Sequence, residues 1–146
     1  MDIRKISSRY SVSPQIEAGD AAAIKAAGFT TVICNRPDAE VPPAQQADAI
    51  RSAVEAAGLH FELLPITHQT MTPDRILQQS GIIAESDGPV LAYCASGTRS
   101  TVIWALGRAG EMPTDDILHQ AKSAGYDLSG LRPTIEAIAK ATATEK

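Results

Sequence analysis

The residues best suited to chemistry lie in one short segment, 93–101, which reads Tyr-Cys-Ala-Ser-Gly-Thr-Arg-Ser-Thr. A strand-like run ends at a cysteine, four small residues follow, and an arginine opens the next helical run. Small residues let successive backbone N–H groups turn towards one point and form a nest for an anion. A thiol in that nest has its thiolate stabilised by the amides and by the positive end of the helix.

Four positions in this segment have an expected chemical role. We expect Cys94 to be a nucleophile and Arg99 to clamp an anion with its planar donor fork. Gly97 supplies the positive φ that such a turn requires, and Ser100 is placed to donate to the thiolate or to protonate a leaving sulfur. The predicted anion-binding loop therefore consists of Ala95, Ser96, Gly97, Thr98, Arg99 and Ser100. The alternative, a buried structural cysteine followed by a solvated arginine, does not explain why cysteine, glycine and arginine occur together here.

The overall composition limits what else the chain can do. Its 146 residues, 44% hydrophobic and 21% charged, predict one packed domain, 1–146, with a frayed tail at 141–146. A net charge of -4 argues against nucleic-acid and anionic-membrane partners, which select basic surfaces. Two cysteines without metal-ligand spacing predict reduced thiols, no metal and no cofactor. No signal peptide or membrane span is recognisable, so we expect a cytoplasmic protein; its oligomeric state stays open.

Strand-like and helical runs alternate along the chain and predict an α/β fold. Strands are expected near 10–13, 29–34, 60–66 and 90–93, and helices near 20–27, 44–57, 72–85, 98–108, 113–124 and 133–141. This alternation is typical of a small, mainly parallel sheet flanked by helices. Cys34 and Cys94 each end a predicted strand, which is the edge where such sheets bind ligands.

Three motifs carry a family resemblance. They are Tyr-Ser-Val-Ser-Pro-Gln at 10–15, Asn-Arg-Pro-Asp at 35–38 and Tyr-Cys-Ala-Ser-Gly-Thr-Arg-Ser at 93–100. Together they resemble the bacterial beta-lactamase-hydrolase-like phosphatase domain family, which implies a protein-tyrosine-phosphatase-like, dual-specificity-phosphatase fold. Two features depart from tyrosine phosphatases: Tyr93 replaces the usual histidine, and four residues rather than five separate Cys94 from Arg99. Four is the spacing of rhodanese sulfurtransferases.

The resemblance implies hydrolysis of phosphate monoesters through a cysteinyl-phosphate on Cys94. The alternative is rhodanese-type sulfur transfer through a Cys94 persulfide, and a third interpretation is a non-catalytic module that binds anions or phosphopeptides. Hydrolysis needs a general acid, and dual-specificity phosphatases take it from a loop before the cysteine. That loop offers His68 and Asp74, with Asp38 as a third candidate. Each also has a structural interpretation: an exposed loop histidine, a helix-dipole partner and a turn residue.

Two further residues are accessory candidates. Cys34 is placed either to form a reversible disulfide with Cys94 or to pack in the core as a small apolar residue. Arg36 either adds positive potential near the loop or pairs with a surface acid. The predicted ligand is a small anion, a phosphate ester or a sulfane sulfur donor. Because only 4% of the residues are aromatic, we expect it to bind shallowly.

Overall fold

The computed structural model describes residues 1–145 and is built on a single five-stranded sheet. The strands are β1 (Arg4–Lys5), β2 (Tyr10–Ser13), β3 (Thr31–Cys34), β4 (His60–Leu63) and β5 (Val90–Tyr93). They are ordered β1-β2-β5-β3-β4, and β1 alone runs antiparallel to its neighbour. The predicted mainly parallel sheet is confirmed, with β5 at its centre; the two-residue β1 was not predicted.

Six α-helices connect and flank the strands. They are α1 (Ala21–Ala26), α2 (Ala47–Ala56), α3 (Pro73–Glu85), α4 (Thr98–Arg108), α5 (Thr114–Ser123) and α6 (Arg132–Glu145). The start of α3 follows the expected chemistry, since the Thr72 hydroxyl accepts the Arg75 N–H as an N-cap. No helix within residues 1–145 has the length and hydropathy needed to cross a membrane.

The structure differs from the sequence prediction at the carboxyl-terminal end, where a frayed tail was expected at 141–146 and a helix is found up to residue 145. Helix α6 continues to Glu145, because the alanines of this segment favour helix and because α6 packs on the turn after α4. A Cβ at Gly110 in that turn would lie 3.4 Å from the Thr142 Cβ. Lys146 lies outside the described residues.

Both faces of the sheet are covered, and strand alternation decides which helices cover each face. Val12, Ile33 and Ala92 pack under α3, α4, α5 and α6, whereas Val32 and Leu91 pack under α1 and α2. Every residue of β5 is buried as a result. Trp104 lies in the first of these cores, 4% exposed and stacked on Tyr10.

Three loops meet at the carboxyl edge of three adjacent parallel strands. They follow β3, β4 and β5 and span residues 35–46, 64–72 and 94–97. Backbone hydrogen bonds extend the sheet pairing into them: the Asn35 N–H donates to the Tyr93 carbonyl at 2.9 Å, and the Leu64 N–H donates to the Cys34 carbonyl at 2.9 Å. The loops are therefore held side by side. The predicted site residues lie in them or at the starts of the helices that follow, except Cys34, which is the last residue of β3.

Candidate active site

Cys94 follows the last residue of β5 and is fully buried. The backbone N–H of Gly97 donates to its sulfur at 3.1 Å. Gly97 is the N-cap of α4 and has φ +92°, the left-handed conformation that glycine adopts without strain. A Cβ at this position would also collide with the hydroxyl of Tyr126. Position 97 therefore requires glycine for two independent reasons.

The loop around Cys94 keeps several backbone donors free. The N–H groups of Ala95, Ser96, Arg99 and Ser100 make no hydrogen bond to any group within residues 1–145. Two carbonyls of the loop, in contrast, accept hydrogen bonds from residues outside it. The Ala95 carbonyl accepts the Gln15 N–H at 3.4 Å, and the Ser96 carbonyl accepts the Tyr126 hydroxyl at 2.9 Å. Four free donors beside the thiol can serve an anion.

Arg99 is fixed by a two-point ion pair with Glu40. Its Nη1 donates to Glu40 Oε2 at 2.9 Å and its Nη2 to Oε1 at 2.7 Å, while Nη1 also donates to the Ile66 carbonyl at 3.0 Å. The Nε–H and one Nη2–H keep no carboxylate or carbonyl partner in the described chain. The pKa of Arg99 is raised, first by the hydrogen bond with Glu40 and more weakly by Cys94. Arg99 therefore lies within electrostatic reach of the thiol.

Glu40 connects two arginines at the edge of the loop. Besides Arg99, it accepts a hydrogen bond from Arg36 Nε at 3.2 Å, and Arg36 Nη1 donates to the side-chain oxygen of Gln15 at 3.3 Å. These contacts hold the pKa of the Glu40 carboxyl below its usual range, with Arg99 as the main cause. Of the two roles considered for Arg36, pairing with an acid is the one observed. Because two guanidinium groups share one carboxylate, the edge of the loop keeps a net positive charge, although the whole chain has a net charge of -4.

The candidate general acids differ in their surroundings. The Ile66 carbonyl on Arg99 brings the start of the 67–72 loop to the site, and the Thr67 N–H donates to the Thr70 hydroxyl at 2.8 Å to close a turn. His68 in this loop and Asp74 in the first turn of α3 are exposed, and neither side chain hydrogen bonds to anything in residues 1–145. Asp38 accepts the Ala47 N–H at 2.8 Å and caps α2, which favours its structural interpretation.

A buried polar network lies beneath the loop. The Ser100 hydroxyl donates to Asn35 Oδ1 at 2.9 Å, and Asn35 Nδ2 donates to the Leu64 carbonyl and to Gln79 Oε1, each at 2.9 Å. Gln79 in turn donates to the Tyr10 hydroxyl at 3.0 Å, which donates to the Ser100 carbonyl at 2.7 Å. The Ser100 hydroxyl therefore serves this network and not the sulfur, contrary to its expected role. The network joins β2, the loops after β3 and β4, α3 and α4.

Cys34 occupies a different environment from Cys94. It lies beside Tyr93 in the β3–β5 register, and both side chains belong to the core under α1 and α2. Its thiol donates to the Arg36 carbonyl at 3.3 Å, and both cysteines are free thiols. Burial raises the pKa of Cys34, with a smaller opposing effect from the Tyr93 hydroxyl. This environment matches a small core residue.

Two residues of the site were not predicted from the sequence. Glu40 reaches Arg99 across 59 positions, and Tyr126 reaches the Ser96 carbonyl across 30. The spacing of four between Arg36 and Glu40 offered a weak signal for a pair, but nothing local points to the second arginine. For Tyr126 no sequence signal exists, because its contact depends on how α5 packs against α4.

A cysteine and an arginine bracketing a turn at the carboxyl edge of a parallel sheet place the chain in the protein-tyrosine-phosphatase-like fold class. Among solved structures, a candidate phosphatase from Neisseria meningitidis Z2491 is 35% identical, with a TM-score of 0.82 over 94% of this chain and 99% of that one. P. aeruginosa TpbA has the same fold at 17% identity, with a TM-score of 0.71 over 98% and 91% of the two chains. A variant of TpbA has been crystallised with phosphotyrosine.

Sequence comparison identifies the family. The chain belongs to the family described as beta-lactamase hydrolase-like protein, phosphatase-like domain, whose profile matches residues 2–111. It is 33% identical over 126 residues to the beta-lactamase hydrolase-like protein of Agrobacterium fabrum, and 31% identical over 130 residues to that of Xylella fastidiosa Temecula1. The matches cover 85% and 88% of this chain but 29% and 30% of those proteins. The chain thus corresponds to less than a third of these relatives.

Proposed function

We propose that the protein hydrolyses phosphate monoesters with Cys94 as the nucleophile. The observation that carries this proposal is the Gly97 N–H on the Cys94 sulfur, within a loop that has four further unpaired N–H groups. Donors arranged in this way stabilise a thiolate before the reaction, and they stabilise the equatorial oxygens of a phosphoryl group during it. The free edge of Arg99 supplies a charged fork for the same oxygens.

The reaction balances in two steps. The Cys94 thiolate attacks phosphorus, the S–P bond forms, and the ester P–O bond breaks as the leaving oxygen takes a proton from a general acid. Water then attacks the cysteinyl-phosphate and returns a proton to the deprotonated acid, which now acts as the base. The S–P bond breaks, and inorganic phosphate and the thiolate are released. We assign the general acid to the loop and helix start at 67–74, with His68 and Asp74 as the candidates.

Sulfur transfer is the second candidate function, and two observations favour it. The loop has the rhodanese length, and neither His68 nor Asp74 makes a side-chain hydrogen bond within residues 1–145. The thiolate of Cys94 would attack the sulfane sulfur of thiosulfate and release sulfite, leaving a persulfide. An acceptor thiolate or cyanide would then take that sulfur and restore the Cys94 thiolate, so no general acid is needed.

The substrate we propose is small or shallowly bound. Ala95 and Ser96 are exposed at the rim of the loop, and Thr98 is half-buried. Within the described residues, a groove of about 810 Å³ lies among Arg9, Trp104 and Arg108, at the opposite end of β2 and α4 from Cys94. The relation to TpbA makes aryl phosphates a reasonable first substrate. Two free thiols and no disulfide within residues 1–145 are typical of a reducing compartment, so we propose a cytoplasmic location.

Two assays on the same protein test the proposal. Hydrolysis of p-nitrophenyl phosphate is compared with thiosulfate-to-cyanide transfer, in wild type, in Cys94→Ser and in Cys34→Ser as the matched control. We expect aryl-phosphate turnover in wild type and Cys34→Ser and none in Cys94→Ser. Rapid sulfur transfer without phosphate release would reverse the order of the two functions. Phosphate binding without either activity would identify a binding module.

A further inference from the structure

The hydroxyl of Tyr126 and the sulfur of Cys94 contact opposite ends of one peptide unit. Tyr126 donates to the Ser96 carbonyl at 2.9 Å, and the Gly97 N–H donates to the Cys94 sulfur at 3.1 Å. This peptide is trans, as are all described peptide bonds. The C=O and N–H of a trans peptide point in opposite directions in one plane. Fixing the oxygen from outside therefore aims the N–H at the sulfur.

Tyr126 also strengthens this hydrogen bond electronically. A hydrogen bond accepted by a carbonyl polarises its peptide unit and makes the attached N–H a better donor. The Gly97 N–H thus stabilises negative charge on the sulfur better when the Ser96 carbonyl is engaged. The Gly97–Cys94 hydrogen bond is buried and the Tyr126–Ser96 hydrogen bond is partly buried, so the two bonds reinforce each other with little competition from water at the sulfur.

The position of Tyr126 is itself well determined. The side chain is 8% exposed, and its backbone N–H donates to the Ala121 carbonyl at 2.9 Å at the end of α5. The guanidinium of Arg4 lies 5.5 Å from the ring centre and donates to the Ala124 carbonyl at 3.2 Å. Burial raises the pKa of the Tyr126 hydroxyl, so it remains a protonated donor at neutral pH.

We propose that Tyr126 is a positioning residue that acts on Cys94 through the Ser96–Gly97 peptide. This inference rests on the proposed role of Cys94 as a nucleophile, but it holds whichever anion the thiolate attacks. The proposal also assigns a function to the segment after α4, since Tyr126 lies beyond residues 2–111, the part of the chain that matches the family.

The test uses Tyr126→Phe, which keeps the ring and removes the hydroxyl. The rate of alkylation of Cys94 by iodoacetamide is measured against pH, with peptide mass spectrometry to separate it from Cys34. We expect the variant to react about threefold more slowly at neutral pH, because the lost hydrogen bond joins two neutral groups and its loss weakens the Gly97 N–H as a donor without removing it. The whole rate profile should move to higher pH. In an NMR spectrum, the Gly97 amide proton should move upfield as its hydrogen bond weakens.

Arg4→Gln is the matched control, since it removes the contact on the ring face while the backbone hydrogen bond from Tyr126 to Ala121 still holds the residue and its hydroxyl in place. It should lower Tm and leave the alkylation profile unchanged. An unchanged profile and Gly97 signal in Tyr126→Phe, or an equal shift in Arg4→Gln, would overturn the inference. Because alkylation needs no substrate, a shifted profile in a protein without phosphatase activity would support the role of Tyr126 while contradicting the proposed hydrolysis.

Discussion

Glu40 forms a bidentate ion pair with the two Nη atoms of Arg99, at 2.7 and 2.9 Å, although the two residues are 59 positions apart in the sequence. The pair engages the end of the guanidinium and leaves the Nε side without a carboxylate or carbonyl partner in residues 1–145. Since bidentate pairs fix geometry as well as charge, Glu40 orients Arg99 and does not simply neutralise it. The same carboxylate holds Arg36, so one residue organises both arginines of the site.

The first prediction concerns this ion pair in catalysis. Glu40→Gln removes one of the two acceptors and should lower kcat/KM for an aryl phosphate about tenfold, mainly by raising KM, because a mobile Arg99 binds the anion less well. Glu111→Gln, which breaks the surface pair with Arg108, is the matched control and should leave kcat/KM unchanged. Tighter inhibition by phosphate in Glu40→Gln would show instead that Glu40 competes with the substrate.

The Glu40–Arg99 ion pair should make the stability of the folded protein depend on pH in a defined way. The pKa of Glu40 is lowered in the folded protein from its ordinary value of 4.5, chiefly by Arg99. Its contribution to stability is therefore complete above that value and is lost as the pH falls through the lowered pKa. The Tm of wild type should exceed that of Glu40→Gln at neutral pH, and the difference should shrink below about pH 4. A constant difference down to pH 2 would contradict the ion pair.

The general acid is tested with leaving groups of different basicity. If His68 or Asp74 protonates the leaving oxygen, His68→Gln or Asp74→Asn should lower kcat about 100-fold for phenyl phosphate with little change in KM. The loss should be much smaller for p-nitrophenyl phosphate, whose leaving group needs less protonation. Equal losses for both substrates would point to a structural effect. No loss in either variant would remove the 67–74 segment from the mechanism and strengthen sulfur transfer.

The buried network should prove structural. Asn35→Ala leaves Gln79 Oε1, the Ser100 hydroxyl and the Leu64 carbonyl without their Asn35 partner, and should lower the free energy of unfolding by about 3 kcal/mol. Ser100→Ala removes one donor and should cost about 1 kcal/mol. Urea titration measures both. Because the Ser100 hydroxyl faces Asn35, Ser100→Ala should keep the alkylation rate of Cys94, and a slowed rate would show that the hydroxyl acts on the sulfur after all.

Cys34 should not protect Cys94 from oxidation. Cys34 shares a sheet face with Tyr93, so strand alternation directs Cys94 to the other face. Its raised pKa also keeps it a thiol at neutral pH. Peroxide should therefore convert Cys94 to sulfinic acid and leave Cys34 reduced, as read by peptide mass spectrometry. A Cys34–Cys94 disulfide as the main product would contradict this assignment.

The local part of the site was predictable from the sequence. Val90–Tyr93 forms a strand, Gly97 adopts positive φ, and Thr98 begins a helix, as the spacing from Cys94 to Arg99 requires. Each of these depends on neighbouring residues, so a short window contains the information. The alternation of strands and helices likewise sufficed for a mainly parallel sheet with both cysteines at its carboxyl edge.

The residues that complete the site were not predictable in the same way. Glu40 and Tyr126 reach the loop through tertiary contacts, and their pairing depends on the strand order and on the packing of α5. Ser100 shows the same limit: its proximity to Cys94 suggested contact with sulfur, but the start of α4 turns its hydroxyl towards Asn35. Spacing thus located the loop, whereas the orientation of each donor required the structure.

The covalent intermediate on Cys94 is the most direct test of the account. The wild-type protein is mixed with p-nitrophenyl phosphate, quenched in acid within the first turnover, and analysed by intact and peptide mass spectrometry. We predict an added phosphoryl group on the peptide containing Cys94, absent from Cys94→Ser. Phosphate release with no adduct in repeated quenches would contradict it. So would a protein that gains no phosphoryl group from p-nitrophenyl phosphate but gains one sulfur atom on Cys94 from thiosulfate.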